Sequence, residues 1–211
     1  MASPLERAGP TSEEQMVTPS PGAAGEAGVI VDAASRRTLA AAFVAAVLSV
    51  MPTFLLGGVA VLVREDLNFS ESRLGLCITA YYVVSAISAV PGGHLAERLG
   101  GLRGCSVGIV LSATTLASVA AFAHSWWQLA VCLMAGGLAN ALLQPATNLA
   151  LARGIPADRQ GLAFGLKMAN GPVATMLAGL SASVIATTVG WRWAFIAMAC
   201  LAMVFFVVRP A

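Results

Sequence analysis

Residues 93–103 read Gly-His-Leu-Ala-Glu-Arg-Leu-Gly-Gly-Leu-Arg and form a short charged loop between two long apolar runs. Glycines in such a loop allow tight backbone turns and close approach of neighbouring helices. The charged side chains stand where a helix would leave a bilayer. The loop is too short to hold a domain, so it indicates a tight connection between two membrane helices. Its turn-forming or charged positions are Gly93, Glu97, Arg98, Gly100 and Arg103.

The composition of the whole chain is that of a membrane protein. The 211 residues are 58% hydrophobic and only 10% charged, and the mean hydropathy is +0.81. A soluble domain usually carries about a quarter charged residues. The four cysteines, at positions 77, 105, 132 and 200, lie in apolar runs without metal-ligand or disulfide spacing. We therefore predict no metal site and no cofactor.

Six apolar stretches follow a polar beginning, and each is close to the roughly 20 residues that a spanning helix needs. Residues 1–37 are rich in Pro, Gly, Ser, Glu and Ala, which predicts a disordered cytoplasmic tail. Its acidic start is not that of a cleavable signal peptide. The predicted spans, which form one transmembrane bundle over residues 38–211, are residues 38–63, 73–96, 104–123, 127–151, 161–188 and 192–208.

The distribution of arginines predicts the orientation in the membrane. Seven arginines fall on one side of the predicted spans, at positions 36, 37, 98, 103, 153, 159 and 209. Three fall on the other side, at positions 64, 73 and 192. Because the cytoplasmic side carries the excess of Lys and Arg, we expect a multi-pass protein of the plasma membrane with both termini in the cytoplasm.

The loop at residues 93–103 resembles the signature loop between helices 2 and 3 of the major facilitator superfamily of secondary transporters. That loop reads Gly-x-Leu-Ala-Asp-Arg-x-Gly followed by basic residues, and Glu97 stands here for the acid. The chain departs from the pattern at residues 101–102, where the family places basic residues, although Arg103 follows. The matching positions are Gly93, Leu95, Ala96, Arg98 and Gly100.

Two further stretches extend this resemblance over residues 38–208. Residues 159–172, which end Asn-Gly-Pro, are similar to the fifth helix of the superfamily, and residues 190–195, Gly-Trp-Arg-Trp-Ala-Phe, to the start of the sixth. The resemblance implies an all-α membrane protein, an amino-terminal half of six helices built from two inverted three-helix repeats. Members usually have two such halves with the substrate between them. The resemblance therefore implies a fragment, or a partner that is a second six-helix half or another copy; a monomer of this chain is not expected to transport.

Polar residues inside the spans predict where a substrate would bind. Lys167 is the one ionisable residue clearly inside a span, where such residues are costly and usually functional. Span four carries an amide stripe on one helical face, and Pro52 in span one frees a carbonyl that could face a cavity. The alternatives are hydrogen bonding between helices and, for Lys167, snorkelling to the interface. The predicted substrate-binding residues are Lys167, Asn170, Asn140, Gln144, Asn148, Tyr81 and Tyr82.

These residues favour a secondary transporter of a small solute, and an anion in particular. No Asp or Glu lies inside a span, and residues 132–137 lack the arginine that drug/proton antiporters of this superfamily carry in helix 4. The alternatives left open are a drug/proton efflux antiporter and a non-transporting scaffold or sensor. An intramembrane protease needs a serine in a tight turn and a histidine partner. Ser181 follows a glycine and a leucine, but His94 and His124 both lie at span ends and no Gly-x-Ser-x-Gly occurs, so we predict no enzyme. The expected partners are the lipid bilayer, a small-molecule substrate and a second bundle, without nucleic acid.

Overall fold

The computed structural model describes residues 33–208, which contain helices joined by short turns and no β-strand. The α-helices are α1 (Ala33–Gly58), α2 (Ala60–Leu67), α3 (Glu71–Ile87), α4 (Ala89–Leu99), α5 (Gly101–Phe122), α6 (Trp126–Gly154), α7 (Gln160–Met168), α8 (Asn170–Leu180) and α9 (Trp191–Val208). A 3₁₀ turn at Ala157–Arg159 precedes α7, and a π-helical segment at Ser181–Ala186 continues α8.

Five helical stretches of the described residues are long and apolar enough to cross a membrane, and α3 and α4 add a sixth if this bent pair is one span. The count of six spans stays a prediction at that pair. Of the predicted tail, residues 1–32 lie outside the described part of the chain, whereas residues 33–37 already belong to α1. Hydropathy marks only the apolar part of a helix, and the alanines and arginines at 33–37 are strong helix formers that extend it.

Prolines explain why two spans that hydropathy predicted as continuous are broken. A proline removes one backbone donor and clashes with the carbonyl four residues earlier. Pro91 follows Ile87 by four residues, and the chain bends there by 57° between α3 and α4. Pro172 follows Met168 in the same way, and α7 ends at Met168.

Pro52 lies inside α1 without ending it, because another helix satisfies the backbone group that it frees. The freed group is the carbonyl of Leu48, four residues earlier. The Ser112 hydroxyl of α5 donates to that carbonyl oxygen at 2.7 Å, and both residues are buried. The expectation that this carbonyl faces a cavity was therefore wrong.

Glycines let the long helix α6 approach its neighbours at backbone distance. A Cβ on Gly101 of α5 would overlap the backbone nitrogen of Ala150, and a Cβ on Gly137 of α6 would overlap the carbonyl oxygen of Tyr81 in α3. Small residues at crossings are how membrane helices pack closely. The polar stripe of α6 is thereby brought against α1 and α3.

Helix α1 lies at the centre of the bundle, against α5, α6 and α8. Its side chains Met51, Leu55 and Leu56 are fully buried. Large apolar side chains on the outer helices are exposed instead, as are Ile87 and Val207. An apolar exterior around a packed centre suits a bundle that is surrounded by lipid.

Candidate functional site

Lys167 lies in the last turn of α7 with only 3% of its surface exposed. Its ammonium nitrogen Nζ donates to Oδ1 of Asn148 and, at 3.3 Å, to Oε1 of Gln144, both on α6. The ammonium therefore bonds to α6 inside the bundle, and the snorkelling alternative was wrong. Within residues 33–208 no carboxylate forms a salt bridge with Lys167.

The amide stripe of α6 carries this contact further into the bundle. Gln144 Nε2 donates to Ser49 Oγ of α1 at 3.1 Å and lies 3.5 Å from Oδ1 of Asn140. Asn140 Nδ2 in turn donates to Ser85 Oγ of α3 at 2.7 Å. The bonds to Ser49 and Ser85 are the interhelical hydrogen bonds that the sequence offered as the alternative to a binding role. They connect Lys167 to α1 and α3 through side chains alone.

Tyr81 and Asn170 bond to the backbone of α1 rather than to Lys167. The Tyr81 hydroxyl donates to the carbonyl oxygen of Ser49, and Asn170 Nδ2 donates to that of Ala46 at 3.2 Å. Asn170 Oδ1 accepts from the backbone N–H of Gly171 at 2.8 Å, where α8 begins after the break. Both residues thus hold α1 against α3 and α8 at the level of the network.

Tyr82 lies apart from the other predicted site residues. Its ring is 45% exposed and packs edge-on against Tyr81, with the centroids 5.0 Å apart. It lines an apolar groove of about 450 Å³ between α1, α3 and α8, together with Phe54 and Thr175. The structure therefore divides the seven predicted residues between a polar network, the backbone of α1 and this groove.

Within residues 33–208 no carboxylate pairs with the positive charge of Lys167. An ammonium has three donors, and the two amide oxygens accept two of them. Amide oxygens orient the ammonium but carry no formal charge. Such an arrangement can hold an anion by a charge-assisted hydrogen bond, which is shorter and stronger than a neutral one.

The prediction of a loop over residues 93–103 was wrong for all but one residue, because residues 93–99 belong to α4 and residues 101–103 begin α5. A single residue connects the two helices. That residue is Gly100, whose φ of +80° favours glycine. A Cβ on Gly93 would meet nothing within 4 Å, so the close approach expected there occurs instead at Gly92, against the carbonyl of Ala141. Arg98 and Arg103 are exposed.

Glu97 faces a cleft that also reaches the lysine network. Its carboxylate Oε2 lies 3.9 Å from Nδ1 of His94, and both side chains are largely exposed. A cavity of about 580 Å³ between α4, α6 and α7 is lined by Glu97, Asn148 and Phe164, among others. Asn148 therefore borders this cleft on one side and bonds to Lys167 on the other.

Residues 42–210 match the family model described as Major Facilitator Superfamily. The chain belongs to the major facilitator superfamily. This membership confirms the resemblance seen in the loop, and with the apolar helices it makes the chain an all-α, multi-pass membrane protein.

Two relatives within the superfamily differ in what their names describe. The chain is 31% identical over 140 residues to "Probable anion transporter 3, chloroplastic" of Arabidopsis thaliana, which covers 66% of the chain and 27% of that protein. It is 27% identical over 158 residues to "Chloramphenicol resistance protein" of Streptomyces lividans, which covers 74% of the chain and 40% of that protein. The chain thus spans less than half the length of either relative.

Proposed function

We propose that the chain is the six-helix half of a secondary active transporter that moves a small anion by alternating access. This proposal rests on the ammonium of Lys167, which is buried, donates to two neutral amide oxygens and forms no salt bridge with a carboxylate within residues 33–208. A cation held in the membrane interior is costly, and such residues usually mark a substrate or ion pathway. An anionic substrate would offset that cost when it binds.

Each residue near Lys167 has a distinct role in this proposal. Gln144 and Asn148 orient the ammonium, since their oxygens accept two of its donors. Asn140 holds Gln144 in place through Oδ1 and ties α6 to α3 through Ser85. The anion then takes the third ammonium donor, and the side-chain amides donate to its remaining oxygens.

We propose that transport needs a second six-helix bundle, either a different half or another copy of this chain. Alternating access rocks two bundles about a site near the midplane. The fifth span supports this, because only 17% of its most apolar stretch is buried in the bundle, although it carries Lys167. The loop residues Gly93, Glu97, Arg98, Gly100 and Arg103 would then act at the cytoplasmic side of the moving interface.

The test compares the chain alone with the chain supplied with a second bundle, by fusion or co-expression. Radiolabelled monovalent and divalent anions, and neutral solutes of similar size, would be added in parallel to the outside of proteoliposomes. We expect saturable uptake of an anion only when two bundles are present. Saturable uptake by a verified monomer would refute the need for a partner, and saturable uptake restricted to neutral solutes would refute the substrate class.

Efflux of an apolar drug with proton exchange is the second candidate. The apolar groove that Tyr82 lines favours it, because an aromatic wall suits a ring-containing substrate. The similarity to a chloramphenicol resistance protein points in the same direction. Tyr82→Ala separates the two functions: it should weaken drug resistance in cells if the groove binds the substrate, and leave anion uptake intact if Lys167 does.

The proposed setting is the plasma membrane, with both termini in the cytoplasm. The arginine asymmetry of seven against three supports this orientation. Separation of membranes on a density gradient and protease protection of tags at each terminus would test the two parts independently.

A further inference from the structure

A second basic site lies at the end of the bundle, in a cleft between the turn from α4 to α5 and the last turns of α6. The cleft has a volume of about 340 Å³, which lies within the range of about 300–1,000 Å³ that is usual for small-molecule sites. Two arginines line it, Arg103 of α5 and Arg153 of α6. In the described part of the chain neither side chain forms an ion pair or a hydrogen bond.

Helix ends of both polarities also line this cleft. Gly100, Gly101 and Leu102 also line it, and α5 begins there at Gly101 without a side-chain cap. The first N–H groups of a helix have no partner within the helix, and the helix dipole favours negative charge at this end. Leu99, where α4 ends, and Gly154, where α6 ends, also line the cleft, and the negative ends of these helices offset the start of α5. The positive character of the cleft therefore comes from the two arginines, which lie on different helices.

The position of the cleft selects the kind of anion. Helices α5 and α6 are both membrane spans, and the cleft is at the ends of both, where lipid head groups lie. Beside the arginines the wall is apolar, formed by Leu149 and by Leu102, which is 44% exposed. Cations next to an exposed apolar wall match an amphiphile with a negative head and an acyl chain. Basic pockets between membrane helices bind anionic lipid head groups in this way.

We infer that this cleft binds the phosphate of an anionic phospholipid. The phosphate lies between the guanidinium groups of Arg103 and Arg153, at the start of α5, and the acyl chains pass along Leu102 and Leu149. A guanidinium fork matches two phosphate oxygens at once, which makes arginine the suited residue for this contact. The lipid would hold the start of α5 against the end of α6, independently of the substrate at Lys167.

The test measures lipid retained by the full chain purified in detergent. Native mass spectrometry would count bound phosphatidylglycerol on the parental chain, on R103A/R153A and on R36A/R37A. The last variant removes two positive charges at exposed positions of α1 that do not line the cleft. Phosphatidylcholine and inorganic phosphate, each in tenfold excess, serve as competitors.

We expect R103A/R153A to weaken phosphatidylglycerol binding about 25-fold, since each arginine near an anionic lipid contributes about fivefold, or ~1 kcal/mol. The control R36A/R37A should change it less than twofold. R103K/R153K should bind more tightly than R103A/R153A but more weakly than the parental chain, because a point charge replaces the bidentate fork. If R103A/R153A loses its helical circular dichroism signal, the single variants R103A and R153A decide by the same fivefold criterion.

Three results would overturn the inference. The first is a parental chain that retains no phosphatidylglycerol, or that exchanges it freely for phosphatidylcholine. The second is an equal loss in R36A/R37A, which would reduce the effect to overall charge. The third is displacement by inorganic phosphate, which would make this a site for a soluble anion and not for a lipid.

Discussion

Replacement of Lys167 by alanine should abolish the binding of an anion while leaving the bundle intact. Removing one partner of a buried, hydrogen-bonded charge pair costs about 2–5 kcal/mol, which corresponds to about 30- to 4,000-fold in affinity. Membrane insertion should not suffer, because a lysine at the centre of a span costs ~2.5–3.5 kcal/mol on insertion scales. The oxygens that lose a donor belong to Asn148, which is exposed, and to Gln144, which is half-buried.

The assay is the concentration dependence of anion uptake into proteoliposomes that contain the chain with a second bundle. Lys167→Arg keeps the charge and should transport with reduced affinity, because a planar fork replaces a compact ammonium. Asn148→Asp is the matched test of charge: it keeps the contact to Nζ but adds a counter-ion, and it should weaken anion uptake although Lys167 remains. If Lys167→Ala transports at the parental rate and affinity, the lysine does not bind substrate and the argument for an anion is refuted.

Three further predictions concern the packing of the bundle and its orientation in the membrane. Gly137→Ala should destabilise the purified bundle by about 1–3 kcal/mol through overpacking. Gly179→Ala, where a Cβ meets nothing within 4 Å, should be neutral or stabilising in thermal unfolding, and equal effects of the two variants would contradict the close crossing. Ser112→Ala should lower the free energy of unfolding by about 0.6–1.7 kcal/mol. This loss should vanish in a Pro52→Ala background, where the restored N–H of residue 52 bonds to the carbonyl of Leu48. An unchanged loss would show that the hydroxyl stabilises the bundle in another way. A cysteine at Ser35, in a chain whose native cysteines are alanine, should react with an impermeant maleimide only after the cells are opened, and labelling of intact cells would reverse the predicted orientation.

The residues of the candidate site could be found from the sequence because helical periodicity is local. Asn140, Gln144 and Asn148 are spaced by four residues, so they must share one face of α6 wherever that helix lies. The position of Lys167 within an apolar run predicted either burial or snorkelling to the interface, and only its contacts with α6 decide for burial. Their mutual contacts could not be predicted, since the rotation of α7 against α6 depends on packing across the whole bundle.

The prediction that Tyr81 and Tyr82 share one site conflicts with helical periodicity. Successive residues of an α-helix with 3.6 residues per turn point about 100° apart. Tyr81 and Tyr82 therefore could not both face one small site, and the structure turns one toward the backbone of α1 and the other toward the groove. The periodicity that correctly grouped the amides of α6 would have separated these two rings.

The sequence predicts where a proline removes a backbone donor, but not whether the helix breaks there. Pro91 and Pro172 each lack a backbone donor, and a helix ends four residues before each of them. Pro52 gives the same signal, yet α1 continues, because Ser112, 64 residues beyond Leu48 in the sequence, donates to the carbonyl of Leu48 instead. A proline in a membrane helix thus tells which carbonyl is freed, but only the tertiary structure tells what satisfies it.

The polar network and the apolar groove make different demands on a substrate, and this difference favours the anion. A charged solute that enters the bundle loses water, and only a group of opposite charge or several donors can replace that loss. The groove beside Tyr82 is lined mainly by apolar side chains, so it could receive a ring but not an unpaired charge. A drug that bound there would leave the charge of Lys167 in place and uncompensated in the interior. An anion at Lys167 removes that cost, and for this reason the buried lysine is better explained by an anionic substrate than by an apolar one.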